Sequence, residues 1–264
     1  MAAVVILLSA GGCGEAYSYY CYGRGMRCYA NEDYKRAYKY LKASADHGDG
    51  RGQYAVAELY LYGEGTEKSL AESVKYYELA IANKNTPDDF RIDSQGKLGY
   101  LYLTEESVRN SRKGEKYLTE AAEHDDYIYY QVSLGMCFYK GIGVERDCDK
   151  AFKWLSKAAG AELAPGTVKL KQKIYCRAKA EYYLGEMYLK GEGAPKDVKK
   201  AFRSFEKGAE DGNPDAECML GYMYVTGEGV AKDRSKGMEM LQKQAAADNP
   251  KAEELLEEIK RKRL

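Results

Sequence analysis

The sequence predicts an all-α chain, an α-solenoid of about six helix-turn-helix repeats that ends in a C-terminal capping helix. Three observations predict this class. A pattern of about 36 residues recurs along most of the 264-residue chain, and a period in this range is typical of stacked repeats. Apolar and small residues within each copy follow the helical period. Glycine and aspartate recur where helices are expected to end and begin.

Three segments carry the clearest copies: residues 130–160, 180–212 and 216–246. Each contains a Leu-Gly pair, an aromatic residue three positions after that glycine, and a Gly-x-Gly segment three positions further on. Weaker copies fill the first half of the chain. The predicted repeats span residues 12–47, 52–83, 94–124, 130–162, 180–212 and 216–247, and they form one domain over residues 1–247.

Each repeat is predicted to contain two helices, A and B. The first glycine of Gly-x-Gly ends helix A, because glycine tolerates the left-handed conformation found just after a helix. An aspartate four residues after the second glycine then caps helix B, as at Asp147, Asp197 and Asp233. In the first repeat we assign the helix-ending role to Gly23, which makes Tyr20 a core aromatic residue.

Residues 248–264 are predicted to form the capping helix. A terminal repeat needs a cap because it has no further neighbour to cover its apolar stripe. Asp248 or Asn249 can cap this helix, and Pro250 suits its first position. The charged remainder of the helix would face water. The apolar stripe consists of Ala252, Leu255, Leu256 and Ile259.

The composition excludes several classes of function. The 41 basic and 41 acidic residues give a net charge of zero, which argues against nucleic-acid binding. The longest apolar run has seven residues, from Ala2 to Leu8, so no membrane span is expected, since a spanning helix needs about 20 residues. This run resembles a signal segment without its basic start. We therefore expect a cytoplasmic protein, with secretion or lipid anchoring through Cys13 as the alternative.

No pattern indicates catalysis or metal binding. The Gly-x-Gly segments follow helices rather than strands, unlike phosphate-binding loops. His47 and His124 lie two repeats apart, and the seven cysteines form no Cys-x-x-Cys pair. The sequence therefore predicts no enzyme and no cofactor. Cys13, Cys21 and Cys28 are near enough in sequence to pair if oxidised, and a count of native thiols separates the two compartments.

The repeat pattern resembles the Sel1-like repeat. Residues 130–160 match that family at nearly every position, including Val144, Asp147, Lys150 and Trp154. The resemblance implies a right-handed, tetratricopeptide-like solenoid with helix A on its concave face. It also implies an adaptor or scaffold that binds a protein or peptide partner. Cys-rich members suggest a rival, a secreted protein with hydrolase-like or cell-wall-ligand-binding activity.

If helix A lines the concave face, positions three before and one or four after its small residue face the groove. Tyrosine is abundant here, with 26 residues against 5 phenylalanines, and its ring with a hydroxyl suits peptide recognition. The alternative is that these rings cover seams between repeats. The basic insertion at 163–176 is a partner-specific loop, an acidic-ligand patch or a helix extension. The predicted partner-binding residues are Tyr54, Glu58, Tyr100, Tyr139, Tyr182, Glu186 and Tyr222.

Overall fold

A computed structural model of the chain describes residues 13–164, 166 and 169–263. The described residues form thirteen α-helices and one short 3-10 helix, with no strand among them. The run at 1–12, which the sequence offers as a signal segment or a helix start, lies outside the described residues. The helices are α1 Cys13–Ala30, α2 Tyr34–Asp46, α3 Gly50–Tyr62, α4 Leu70–Ala82, α5 Asp88–Thr104, α6 Ser111–Ala122, α7 Ile128–Lys140, α8 Cys148–Ala159, α9 Leu170–Lys190, α10 Val198–Glu210, α11 Pro214–Thr226, α12 Arg234–Ala245 and α13 Pro250–Lys262.

The chain divides into two compact units, with the boundary between Ala121 and Ala122. Within each unit, consecutive helices pack on one another, α5 and α6 through Gly99 against Leu118. The helices A, which are the odd-numbered ones, also contact each other: α1 with α3 and α3 with α5 in unit 1, and α7, α9, α11 and α13 in turn in unit 2. Among the described helices B, α2 and α4, α8 and α10, and α10 and α12 make no such contact. The helices A therefore line the inner side of the curve within each unit, and the predicted all-α stacking is confirmed.

Helix A ends at the first glycine, as predicted. Gly63, Gly141, Gly191 and Gly227 all adopt the left-handed conformation, with φ between 69° and 81°. The second glycine allows a close approach between repeats. A Cβ on Gly193 would lie 2.2 Å from the carbonyl oxygen of Cys148, at the start of the preceding helix B. Only glycine permits this contact between the loop and the previous repeat.

One backbone hydrogen bond joins helix A to helix B in all six repeats. The N–H of the residue that caps helix B donates to the carbonyl of the residue three positions after the small residue of helix A. Asp233 donates in this way to Tyr224 at 2.9 Å, and Asp33 to Cys28 at 2.9 Å. The other pairs are Ser69 with Tyr60, Asn110 with Tyr102, Asp147 with Phe138 and Asp197 with Tyr188. The predicted caps Asp147, Asp197 and Asp233 are confirmed, since each side chain accepts from the first turn.

The first repeat departs from the prediction. Helix α1 continues through Gly23 and Gly25 to Ala30, so Gly23 does not end helix A. Gly25 is instead the small packing residue, because a Cβ there would lie 2.6 Å from Leu41 of α2. Cys28 then takes the aromatic position, and Tyr20 is exposed rather than in the core. The predicted register of this repeat was wrong because a glycine can serve close packing as well as helix ending.

The capping helix α13 is confirmed. The side chain of Asn249 accepts from the N–H of Lys251, and Pro250 occupies the first turn. Asp248 precedes the cap in a left-handed conformation, with φ of 56°. The helix buries Ala252, Leu255 and Ile259 against the last repeat.

Candidate functional site: the inner faces of the helices A

Large apolar side chains that reach solvent are concentrated on the helices A. Of the nine among the described residues, eight lie on these helices and one, Leu79, lies on a helix B. The eight are Tyr17, Tyr19, Tyr20, Met26, Tyr62, Tyr100, Tyr129 and Tyr175. The two helices of a repeat thus differ in what they show to water: among the described residues, every exposed tyrosine lies on a helix A.

In unit 1, the residues at helical spacing on the inner side of α1, α3 and α5 form one surface, which we call the unit 1 A face. Residues three and four apart on a helix share a face. Two of its rings, those of Tyr19 and Tyr62, are 66% and 60% exposed. The face consists of Tyr19, Tyr22, Met26, Arg51, Tyr54, Glu58, Tyr62, Phe90, Asp93, Lys97 and Tyr100.

Four rings of the unit 1 A face, those of Tyr19, Tyr22, Tyr54 and Phe90, form a connected set. The guanidinium of Arg51 lies 4.7 Å from the ring centres of both Tyr19 and Tyr22. The ring of Phe90 lies 6.4 Å from that of Tyr22 and 5.3 Å from that of Tyr54. Edge-to-face rings at these distances attract each other, so α1, α3 and α5 share one aromatic surface.

The charges of this face are paired within it. Lys97 donates a hydrogen bond to Glu58 and lies 3.8 Å from Asp93. The Tyr54 hydroxyl donates to Asp93 at 2.5 Å. Burial, together with Glu58 and Asp93, raises the pKa of Tyr54, so the phenol remains a neutral donor. Arg51 is held by two hydrogen bonds to a buried carboxylate of its own helix N-terminus, that of Asp49.

Unit 2 carries the corresponding surface, the unit 2 A face, on α7, α9, α11 and α13. Two of its rings are covered: Tyr139 and Tyr183 are each 7% exposed, and their centres are 5.9 Å apart. The ammonium of Lys190 donates to the Tyr139 hydroxyl at 3.1 Å and lies 3.5 Å from Glu186. This face consists of Tyr139, Lys140, Tyr182, Tyr183, Glu186, Lys190, Tyr222, Glu258 and Lys262.

The structure brings the predicted partner-binding residues into these two faces. Tyr54 and Glu58 meet around Lys97, while Tyr100 is exposed one turn further along α5. Tyr222 donates to Glu258 of α13 at 2.9 Å. The hydroxyls of Tyr54, Tyr139 and Tyr222 each bond to the next helix A, so these three rings cover seams between repeats.

Sequence reasoning missed the most exposed members of the unit 1 A face. Tyr62 lies four residues after Glu58, so extending the same helical stripe by one turn finds it. With Gly25 as the small residue of the first repeat, the rule for groove positions gives Tyr22, and Tyr19 lies one turn before it on the same stripe. Both residues carry the ring and hydroxyl that singled out the predicted set.

A second missed position lies four residues before the small residue of helix A. The side chain there reaches the end of a helix B. Gln131 donates to the carbonyls of Ala122 and His124 at 3.2 and 3.3 Å. Glu181 lies 3.5 Å from Lys207, and burial raises its pKa despite that cation. The set is Cys21, Gln53, Gln95, Gln131, Glu181 and Glu217.

From Leu170 onward the basic insertion is part of helix α9. One cation of the insertion, Lys173, and one just beyond it, Arg177, are engaged within unit 2. Lys173 bonds to Asp126 at 2.9 Å, and Arg177 makes a two-point contact with Asp211 at 2.7 and 2.8 Å. The lengthened helix is thus fixed at its free end by ion pairs.

The described part of the chain contains no group of three His, Cys, Asp or Glu side chains placed to hold a metal. Burial raises the pKa of Cys137 to about 11 and that of Cys218 to about 12, which makes both thiols poor nucleophiles. Cys21 and Cys28 lie seven residues apart on α1, about 10 Å along its axis, beyond disulfide reach. None of the described helices has the length and apolar character that crossing a bilayer requires.

The family model of the Sel1 repeat matches six segments: residues 14–49, 50–85, 92–126, 128–161, 178–213 and 214–249. Two curated relatives are both named DAP3-binding cell death enhancer 1. The Mus musculus protein is 25% identical over 195 residues, which cover 62% of this chain and 38% of the relative. The Rattus norvegicus protein is 27% identical over 171 residues, covering 53% and 33%. The chain thus spans little more than a third of the relatives it matches.

Two solved structures are similar in fold. The protective antigen c5321 of uropathogenic Escherichia coli, described as displaying an SLR fold, matches with a TM-score of 0.72 and 25% identity, covering 93% of this chain and 49% of that one. A Sel1 repeat protein from Oxalobacter formigenes matches with a TM-score of 0.70 and 22% identity, covering 90% and 87%.

Proposed function

The chain belongs to the Sel1 repeat family, and we propose that it is an adaptor or scaffold that binds a peptide segment of a protein partner along its helices A. Sel1 repeats serve as protein–protein interaction modules. Both curated relatives are named for binding DAP3, which supports a protein-binding role for this chain. Binding, rather than catalysis, is the proposed activity.

The observation that carries the proposal is the concentration of exposed rings on the helices A. Eight of nine exposed large apolar side chains lie on the helices of the inner side. Exposed apolar surface that is contiguous rather than scattered marks interaction sites, and tyrosine is enriched among the residues that dominate binding energy. The rigid helices also present this surface preformed, so the ordering cost falls on the ligand.

Glu58 and Glu186 take part in this proposal through the lysines they hold. Glu58 accepts from Lys97 and from the Tyr77 hydroxyl, and Glu186 lies beside Lys190. Each carboxylate therefore fixes a cation next to a tyrosine ring. We place this binding in the cytoplasm, where all seven cysteines would stay reduced, and a titration of native protein that finds fewer than seven thiols speaks against it.

Affinity capture with the full chain tests the proposal. We expect Tyr62→Ser plus Tyr100→Ser, on the unit 1 A face, to lower recovery of a specific partner at least tenfold. Tyr182→Ala plus Tyr222→Ala makes the same test for the unit 2 A face. Leu79→Ser is the matched control, because Leu79 is the exposed apolar residue of a helix B.

Quantitative mass spectrometry of the captured proteins gives the outcome, with helical circular dichroism to confirm that each variant is folded. Loss of one partner from either helix A variant, but not from Leu79→Ser, supports the proposal. Equal recovery of every protein from both helix A variants and from the unmodified chain contradicts it.

A further inference from the structure

The first and last helices of the described chain carry matching charges on faces that no described repeat covers. We propose that copies of this chain associate end to end, with α13 of one copy packing antiparallel on α1 of the next. The surfaces involved lie outside the two A faces, so this inference does not depend on the proposed function. The α1 edge consists of Tyr17, Tyr20, Arg24 and Arg27, and the α13 edge of Glu253, Glu254, Glu257, Lys260 and Arg261.

The α1 edge corresponds to the surface with which later helices A meet the repeat before them. A Cβ on Gly52 of α3, five positions before the small residue, would lie 2.8 Å from the backbone nitrogen of Ala45 in α2. At the same position in α11, the Cβ of Ala216 lies 3.0 Å from where a Cβ on Gly208 of α10 would be. Residues four and seven positions further along a helix share this side. Three positions of helix A therefore face the preceding helix B: five before, one before and two after the small residue.

In the first repeat this side has a different chemistry. In α3, α5, α9 and α11, every residue at the three positions is uncharged and buried. In α1 the three residues are Tyr20, Arg24 and Arg27, and the ring of Tyr20 is 48% exposed. Burying two arginines against an apolar helix B is unfavourable, so the α1 edge suits a partner that carries carboxylates.

Helix α13 occupies the place of a further helix A. It begins 36 residues after α11, with an asparagine cap and a proline in the same places. It also contacts α11, as successive helices A do within a unit. Residues that stand 36 positions apart in these two helices therefore correspond to each other.

The α13 edge corresponds to the face of α11 that packs on its own helix B, α12. On that face Lys243 of α12 donates to Glu217 at 2.8 Å, and a Cβ on Gly221 would lie 3.0 Å from a carbonyl oxygen of α12. The corresponding residues of α13 are Glu253 and Glu257, and both are exposed. A glutamate in place of the closely packed glycine prevents a helix B from approaching as α12 does. The α13 edge therefore suits a partner that carries cations.

The two edges match in sign when the helices run antiparallel, as a helix A and the helix B before it do. The acidic N-terminal half of the α13 edge then lies against the arginines, and its basic C-terminal half against the tyrosines. Successive residues of each edge are three or four positions apart, about 5 Å along either axis. Arginine and carboxylate form paired hydrogen bonds, and a lysine is attracted to a tyrosine ring. The facing pairs are Arg27 with Glu253, Arg24 with Glu257, and Tyr20 with Lys260.

The charged side chains of both edges are available for these contacts. Within the described chain neither arginine pairs with a carboxylate: Arg27 bonds to a carbonyl of its own helix, and Arg24 lies 5.6 Å from the ring centre of Tyr40. On α13, Lys260 lies 3.8 Å from Glu257, and a pair of exposed groups at this distance contributes little. Because one chain carries both edges, a second copy supplies the counter-ions that the arginines lack, through a heterologous contact.

Sedimentation velocity of the full chain over rising concentrations tests the inference. We expect self-association that weakens at high salt, because salt screens charge pairs at a surface. Arg24→Glu plus Arg27→Glu should weaken it at least tenfold, and Glu253→Lys plus Glu257→Lys should do the same. A mixture of these two variants should associate again, since the reversed edge of one then faces the reversed edge of the other.

The matched control is Lys199→Glu plus Arg203→Glu, which makes the same change in net charge as the arginine reversal, at exposed positions of α10. It should associate like the unmodified chain, and circular dichroism confirms that each variant keeps its helices. Three outcomes would overturn the inference: a monomer at every concentration, association that survives either reversal, or a mixture that remains monomeric. An equal loss in the control would also overturn it, since net charge rather than the two edges would then govern association. Partner capture with the A face variants tests the proposed function separately.

Discussion

The unit 1 A face and the unit 2 A face are built on equivalent helices, but they bury different side chains. In unit 1 the charges are paired and half-buried while rings such as Tyr19 and Tyr62 reach solvent. In unit 2 the rings of Tyr139 and Tyr183 are buried while lysines reach solvent. The same backbone arrangement therefore yields an aromatic surface in one unit and a polar one in the other.

One position accounts for much of this difference. Five residues after the small residue of helix A stands Tyr62 in α3, but Lys140 in α7 and Lys190 in α9. The ammonium groups of these lysines lie over the rings of Tyr183 and Tyr139, at 5.3 and 5.6 Å from their centres. A long lysine covers rings with its stem while its charge stays in water. In α7 and α9 the lysine at this position thus covers a ring of a neighbouring helix A.

The largest expected effect separates buried from exposed rings. Tyr183→Ala in unit 2 should lower the free energy of unfolding by about 3 kcal/mol, because it leaves a cavity in place of a buried ring. Tyr62→Ala in unit 1 should change it by less than about 0.5 kcal/mol, as exposed substitutions do. Urea unfolding followed by circular dichroism measures both. If both variants lose the same free energy of unfolding, the distinction between a buried ring in unit 2 and an exposed ring in unit 1 is wrong.

A stability change of intermediate size tests the charge pairing on the two faces. Lys97→Ala should lower the free energy of unfolding by about 2 kcal/mol, because it leaves Glu58 and Asp93 together without their cation. Lys190→Ala in unit 2 should lower it by less than about 0.5 kcal/mol, since that lysine is half-exposed and its ion pair is screened by water. The same unfolding measurement applies. A larger loss from Lys190→Ala would show that the buried pairs are in unit 2 instead.

The smallest effect concerns the position four residues before the small residue of helix A, which is Gln53 or Gln95 in unit 1 and the buried Glu181 in one repeat of unit 2. Burial raises the pKa of Glu181, so the folded state keeps this proton to a higher pH than the unfolded state does. Stability from this group is full below the ordinary glutamate pKa and declines as pH rises through the raised value. Glu181→Gln should remove that decline above pH 4.5.

Thermal unfolding between pH 4 and pH 7 measures this difference. The control is Glu257→Gln on α13, an exposed carboxylate that pairs only loosely with Lys260, at 3.8 Å. If Glu181→Gln and Glu257→Gln follow the same pH profile as the unmodified chain, the buried carboxylate has no part in the pH dependence of stability.

The sequence predicted the features that depend on local chemistry. Helix ends at Gly63 and Gly191 and caps at Asp147 and Asp233 follow from the conformations that these residues favour, and they need no knowledge of neighbours. The first repeat failed because Gly25 contacts Leu41 of another helix, a packing relation that a single segment does not reveal.

Burial within the candidate site was harder to predict for the same reason. Tyr54 and Tyr139 both satisfy the rule for groove positions, yet each is covered by side chains of the next helix A: Asp93 and Lys97 for Tyr54, and Lys190 for Tyr139. The buried glutamine and glutamate position escaped notice because its residue type changes from repeat to repeat. From Gln53 to Glu217, what recurs is the contact with the end of a helix B.

The hydrogen bond between the two helices of each repeat shows that the loop joining them can vary in length. Asp33 and Cys28 are five residues apart, whereas Asp233 and Tyr224 are nine apart, yet the same amide and carbonyl meet at 2.9 Å. The same hydrogen bond therefore forms although the loop between its donor and its acceptor differs in length. The bend of the first repeat, which has no Gly-x-Gly contact with a neighbouring repeat, is therefore the natural place to graft foreign peptide, since added residues there need not disturb the stacked helices.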